Sequence, residues 1–152
     1  MKNPDVYLTF GNDVFNETHK NEIELSRGIY LAYSGKYKDG VVNLKKLLYI
    51  GKADKQTFIE RISDHIRNEY PLWMNECDSD EDIYFRVAKL EHDISDVEYA
   101  MIFTHKPPCN TEGLDKYLGN RPAPNVDYDI ALKPVNGQLI DALDIDQKIN
   151  KR

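Results

Sequence analysis

Apolar residues along this 152-residue chain fall into short runs of strand character and two stripes of helical spacing. GIYLAYSG (28–35) is rich in aromatic and branched residues and bounded by glycines, which predicts a strand. KYKDGVVN follows with an Asp-Gly turn signal, and KLLYIGK (46–52) predicts the returning strand of a hairpin. The period then lengthens: Phe58, Ile62 and Ile66 recur four residues apart, as on one face of a helix. Thr57-x-x-Glu60 reads as a capping box, so this helix runs from about Asp54 or Thr57 to Tyr70, where Pro71 stops it. IYFRVAKL (83–90) alternates as a third strand. ISDVEYAMIFTH (94–105) predicts a second helix, with a Ser95-x-x-Glu98 capping box, Val97, Met101 and Thr104 at helical spacing, and an end at Lys106-Pro107.

The order β-β-α-β-α predicts an α+β fold: a small central antiparallel or mixed three-stranded sheet flanked by helices. Residues 28–113 form its domain. Residues 1–27 read as an N-terminal extension whose Val6, Tyr7, Leu8 and Phe10 suit an edge strand. Residues 114–152 read as a C-terminal extension packed on the domain; its prolines, Asn136-Gly137 and polar end from Asp144 predict irregular structure with a flexible end.

Composition narrows the class. With 41% hydrophobic and 30% charged residues, the chain can bury a core without disulfides or structural metal. No apolar run approaches the ~20 residues that span a membrane. The start lacks the apolar stretch of a signal peptide. Cys77 and Cys109 form no CxxC pair and suit a reducing compartment, so the expectation is a cytoplasmic protein.

The net charge of −6 speaks against a polyanionic partner, but its distribution does not. Residues 1–26 carry two Lys/Arg against five Asp/Glu (−3), residues 27–67 nine against four (+5), and residues 68–152 nine against seventeen (−8). The basic segment contains Lys52, Lys55, Arg61 and Arg67, and a local patch counts for more than the molecular sum. Within it, Arg61 and His65 share the inward side of the first helix with Phe58, His65 within about 20° of it and Arg61 within about 60°.

The two hairpin strands contain Gly28-Ile29-Tyr30 and Tyr49-Ile50-Gly51. That pair resembles the signature of the GIY-YIG nuclease superfamily, and the likeness extends over about residues 28–113. In the family, a helix after the second tripeptide carries an arginine and often a histidine one turn later, which Arg61 and His65 match. A later helix carries a metal-binding glutamate, matched by Glu98, and a proline-flanked loop then supplies an asparagine, matched by Asn110 in KPPCN. A lysine just after YIG occurs in some restriction-type members, and Lys52 fits it.

The resemblance implies a divalent-metal-dependent endonuclease hydrolysing phosphodiester bonds in DNA by single-metal water attack. The catalytic set is Tyr30, Tyr49, Lys52, Arg61, His65, Glu98 and Asn110, with Glu98 holding Mg²⁺ or a substituting Mn²⁺. The basic segment adds Lys52, Lys55, Arg61 and Arg67 as the expected nucleic-acid contacts. The chemistry of the residue types agrees. Mg²⁺ binds through one or two carboxylates plus phosphate oxygens, and an arginine fork suits phosphate. The proton of the attacking water has two candidate acceptors: a tyrosine, whose ordinary pKa of ~10 needs lowering, or His65, ordinarily near ~6.5.

Each residue also has a bland reading. The tyrosines pack across strands, Arg61 snorkels, and His65 is a satisfied core histidine. Glu98 only closes its capping box, Asn110 bonds its own loop, and Lys52 is solvated. The competing function is a non-catalytic module on a nuclease scaffold that binds nucleic acid or protein, possibly as a DNA-mimicking inhibitor. A small nuclease cutting both strands is expected to act as a homodimer.

Overall fold

A computed structural model describes residues 3–10, 13–39 and 41–129, with the backbone of 133–135 and 138–140. After β1 (Asp5–Leu8) and a 3₁₀ turn (Glu17–Glu22), the two apolar runs form one long antiparallel hairpin of β2 (Gly28–Lys38) and β3 (Val41–Ala53). Asp39 turns between them at φ 54°, the left-handed backbone that the first position of a two-residue Asp-Gly turn requires. β2 is buried continuously from Gly28 to Gly35, as befits a central strand covered on both faces. β4 (Asp82–Lys89) pairs antiparallel with its other side, so the sheet order is β3-β2-β4 and the fold is α+β.

Strand alternation divides the apolar residues into two cores. Ile29, Leu31 and Tyr33 pack with Val97, Met101 and Ile102 of the helix that follows β4. Tyr30 and Ala32 pack on the opposite face with Phe58, Ile62 and Trp73. A bulge in β3 breaks the alternation. Ala32 pairs with Tyr49 but Tyr33 with Leu47, so Leu48 has no opposite residue, and Leu48 and Tyr49 both join the second core. Bulges of this kind re-aim side chains.

The first helical stripe forms α1 (Phe58–Asn68), with both halves of the Thr57–Glu60 capping box made. Its end differs from expectation: α1 stops before Tyr70, and Pro71 helps to open a second helix, α2 (Tyr70–Met74). A first-turn proline loses no helical hydrogen bond, and its fixed φ favours initiation.

The second stripe forms α3 (Ile94–His105), but no capping box forms at Ser95. Asp93 is the N-cap, at φ 58° and with no side-chain cap bond. Ser95 Oγ instead accepts from Lys52 Nζ at 2.6 Å.

Strands from the two ends of the chain join each other. β1 pairs in parallel with β5 (Asn125–Tyr128), and the Phe10 N–H donates to Asp129 Oδ1 at 2.8 Å. Leu8, Phe10 and Val14 enter the first core, and Phe15 bridges Phe85 on the free edge of β4. Where irregular structure was expected, β6 (Lys133–Val135) and β7 (Gln138–Ile140) pair as a hairpin. Asn-Gly is a turn signal of that geometry. The expected flexible end, from Asp144, lies outside the described residues. Among those described, no helix is long and apolar enough to cross a membrane.

Candidate active site

β3 lies at one border of the three-stranded sheet, so the backbone groups on its outer side need partners from elsewhere. The loop after α3 supplies them. The Cys109 N–H donates to the Leu48 carbonyl at 2.9 Å. The Asn110 side chain accepts from the Ile50 N–H and donates to its carbonyl, both at 2.9 Å. One residue pair further along, the Glu98 carboxylate accepts a hydrogen bond from the Lys52 backbone. Asn110 is thus fully engaged with backbone and fastens the loop to the strand.

Between α1, β3 and α3 this arrangement leaves a cleft of about 480 Å³. Tyr49, Lys52, Lys55, Arg61, Glu98 and Asn110 all line it. Arg61 reaches it from α1 and Glu98 from α3, while Tyr49, opposite Ala32, reaches it from β3. Arg67 does not line it: it is exposed on α1 and pairs with Asp64 one turn back.

Tyr30 and His65 stand behind Tyr49. Tyr30 is fully buried and opposite Gly51, where a Cβ would fall 2.2 Å from Tyr30 Cζ, so only glycine admits the ring. Gly28 is constrained as strongly, at φ 151° and with the Ala88 carbonyl 2.1 Å from any added Cβ. The ring centroids of Tyr30 and Tyr49 are 6.3 Å apart, and that of His65 lies 4.9 Å from Tyr49 and 5.3 Å from Trp73.

Charge in the cleft is balanced by residue type. Lys52, Lys55 and Arg61 face Asp54, Glu98 and Glu112. Glu98 is buried, and desolvation pushes its carboxyl up to about 7 despite Lys52 and Arg61, which pull it down. Glu112 pushes the same way as burial. Burial, then the charge of Glu98, raises the Tyr49 phenol to about 12. Tyr30 is raised by burial first and Tyr49 second. His65 is lowered by burial and by Arg61, against the pull of Glu69, which favours its neutral ring. Burial raises both cysteine thiols to about 11, which keeps them protonated and poorly nucleophilic.

Several lining residues carried no sequence signal of their own. Glu112 follows Asn110 by two positions in a loop whose shape the sequence does not reveal. Tyr99, beside Glu98, stands with its ring centroid 6.0 Å from Lys52 Nζ. Among the described residues no group of three or more His, Cys, Asp or Glu side chains is placed to hold a metal ion. Any cation here would therefore rest on one or two carboxylates. Compared with known proteins, the chain matches no family model, no curated protein and no solved structure.

Proposed function

We propose that this chain is a cytoplasmic GIY-YIG-type endonuclease that hydrolyses phosphodiester bonds in DNA at the β3 cleft, with Mg²⁺ as its metal and Mn²⁺ able to replace it. The observation that carries the reading is Glu98. A carboxylate buried between two cations in an open cleft, with its pKa raised to about 7, is costly for folding and marks a functional site.

The donor chemistry fits a hard cation. Glu98 would hold it, with Glu112 at the same cleft as a second oxygen donor, and phosphate oxygens and waters would complete the shell. When bound, the ion supplies positive charge against that developing on the phosphate. It would also tip the balanced cleft to net positive, as a polyanionic substrate requires.

The chain's own groups do the rest. Arg61 offers its planar fork to the phosphate oxygens. Lys55, exposed at the rim, meets a neighbouring phosphate, and Lys52 stands beside Glu98. Of the three candidates for handling the water's proton, Tyr49 alone lines the cleft, so its hydroxyl orients the nucleophile. Asn110 positions β3 without touching substrate.

The test is cleavage of double-stranded DNA, single-stranded DNA and RNA with Mg²⁺, Mn²⁺ or EDTA, alongside Glu98→Ala and Arg61→Ala. Metal-dependent cutting of DNA that Glu98→Ala abolishes and Arg61→Ala sharply lowers is expected. A wild type that binds DNA but leaves all three substrates intact would make the scaffold a binding module instead. One cleft cuts one strand, so double-strand breaks require two copies, and light scattering during the reaction detects the homodimer.

A further inference from the structure

His65 and Glu69 sit one helical turn apart, and the ring's Nδ1 lies 3.2 Å from Glu69 Oε2. An ionised carboxylate has no hydrogen to give, so Nδ1 carries the proton. In a neutral imidazole the other nitrogen, Nε2, is then the acceptor. That nitrogen is buried and has no hydrogen-bond partner. Two phenol rings stand beside the imidazole, Tyr49 at 4.9 Å and Tyr30 at 5.8 Å centroid to centroid, and neither hydroxyl is bonded to it. Tyr30 Oη is also buried and unpaired. A lone pair and a phenol left unsatisfied in one buried cluster cost stability that packing alone would not require.

We infer that Glu69 is a positioning residue of the cleft: by holding His65 as the Nδ1–H tautomer, it makes Nε2 the acceptor for the proton that Tyr49 releases. The inference rests on the nuclease reading above. As the water oxygen bonds to phosphorus, one of its protons moves to Tyr49 Oη and the phenol's own proton passes to His65 Nε2. The ester P–O bond breaks, and its electron pair leaves with the departing oxygen, which takes a proton from solvent. His65 ends the step as an imidazolium beside the Glu69 carboxylate. Glu69 is 41% exposed, so the excess proton has a route to bulk water away from the cleft. The arrangement also answers the difficulty of a phenol with so high a pKa. Tyr49 never accumulates as phenolate, because its proton leaves as the water's arrives.

The experiment is ¹⁵N NMR of protein labelled at its four histidines, with His65 assigned by substitution, beside the kinetics of DNA nicking. Wild-type His65 is expected as the Nδ1–H tautomer. In Glu69→Ala the ring should shift toward Nε2–H, and kcat should fall ~10–100-fold, the size of effect seen when a metal-bound histidine loses its orienting partner. KM should stay unchanged, while the unfolding midpoint falls modestly because the buried Nδ1 loses its partner. An Nε2–H ring in an active wild type, or Glu69→Ala cutting at the wild-type rate, overturns this inference and leaves the nuclease reading standing. A wild type with the Nδ1–H ring that cleaves no nucleic acid overturns the nuclease reading, and the proton route with it.

Discussion

Helix α3 carries a buried titratable side chain near its start and a half-buried one at its end, and desolvation drives both toward the neutral form. Glu98 near its start rises to about 7, and His105 at its end falls to about 4. Their surroundings differ in kind. At His105 desolvation is the one resolved cause of the shift, and the ring's Nε2 lies 2.8 Å from Tyr128 Oη of β5. The neutral ring is satisfied there, and the pair ties β5 to the helix. At Glu98 two cations oppose the shift, a second carboxylate reinforces it, and the cleft is open to an incoming ligand. A shifted pKa alone therefore does not identify a working site. Opposed charges beside an accessible cleft distinguish the frustrated carboxylate from the satisfied histidine.

The comparison breaks most visibly at Glu98. Glu98→Gln should lower metal-dependent cleavage by ~10³-fold or more, because the ion's anchor is lost. The same change should stabilise the metal-free protein. The folded-state pKa of about 7 lies above the ordinary 4.5, so the unfolded state binds fewer protons between those values. Stability then falls as pH rises through that window, and removing the charge should recover about 2 kcal/mol at pH 8. Urea unfolding in EDTA measures this; a destabilised variant would count against a frustrated carboxylate.

Arg61→Ala should cost about 10²–10³-fold in cleavage, with Arg61→Lys recovering only part, since an ammonium lacks the planar fork. A lysine variant at full rate would reduce Arg61 to a point charge.

His105 predicts the opposite sign of pH dependence. Its folded pKa of about 4 lies below the ordinary 6.5, so the unfolded state binds more protons in between. Stability should be lost as pH falls from 6.5 toward 4, and His105→Asn should flatten that slope while leaving cleavage at neutral pH unchanged. An altered cleavage rate would mean that the two ends of α3 are coupled.

The smallest effect belongs to Arg67. Exposed and paired with Asp64, its truncation to alanine should change stability by less than about 0.5 kcal/mol. DNA affinity should also be unchanged; a marked loss would extend the nucleic-acid surface beyond the cleft.

What was legible in the chain had a local cause. The Asp-Gly turn, the strand alternation of 28–35 and 83–90, and the Thr57–Glu60 capping box all depend on residues within a few positions of one another. Features that misled were local signals overridden from a distance. Ser95 and Glu98 have capping-box spacing, but Lys52 engages Ser95 Oγ and the Glu98 carboxylate turns to the cleft. Pro71 reads as a stop and also begins the next helix. Arg67 shares the basic segment with Arg61, but six residues along α1 it points away from the cleft.

The sequence by itself determined the strand–strand–helix–strand–helix order, the glycines that admit Tyr30 and the close approach at Ala88, and the residue types able to carry phosphodiester chemistry. Only the tertiary structure decided which of those residues meet. Tyr49, opposite Ala32, reaches the cleft while Tyr30 and His65 stay behind it, a bulge turns Leu48 to the same face, and Asn110 fastens a loop to the strand border. Only there, too, do strands from opposite ends of the chain pair, Leu8 with Tyr128. The physical reason is range. Turn and capping energies act within one or two turns of the backbone. Burial, bulge position and long-range pairing are set by the packing of the whole chain, which no short window of sequence contains.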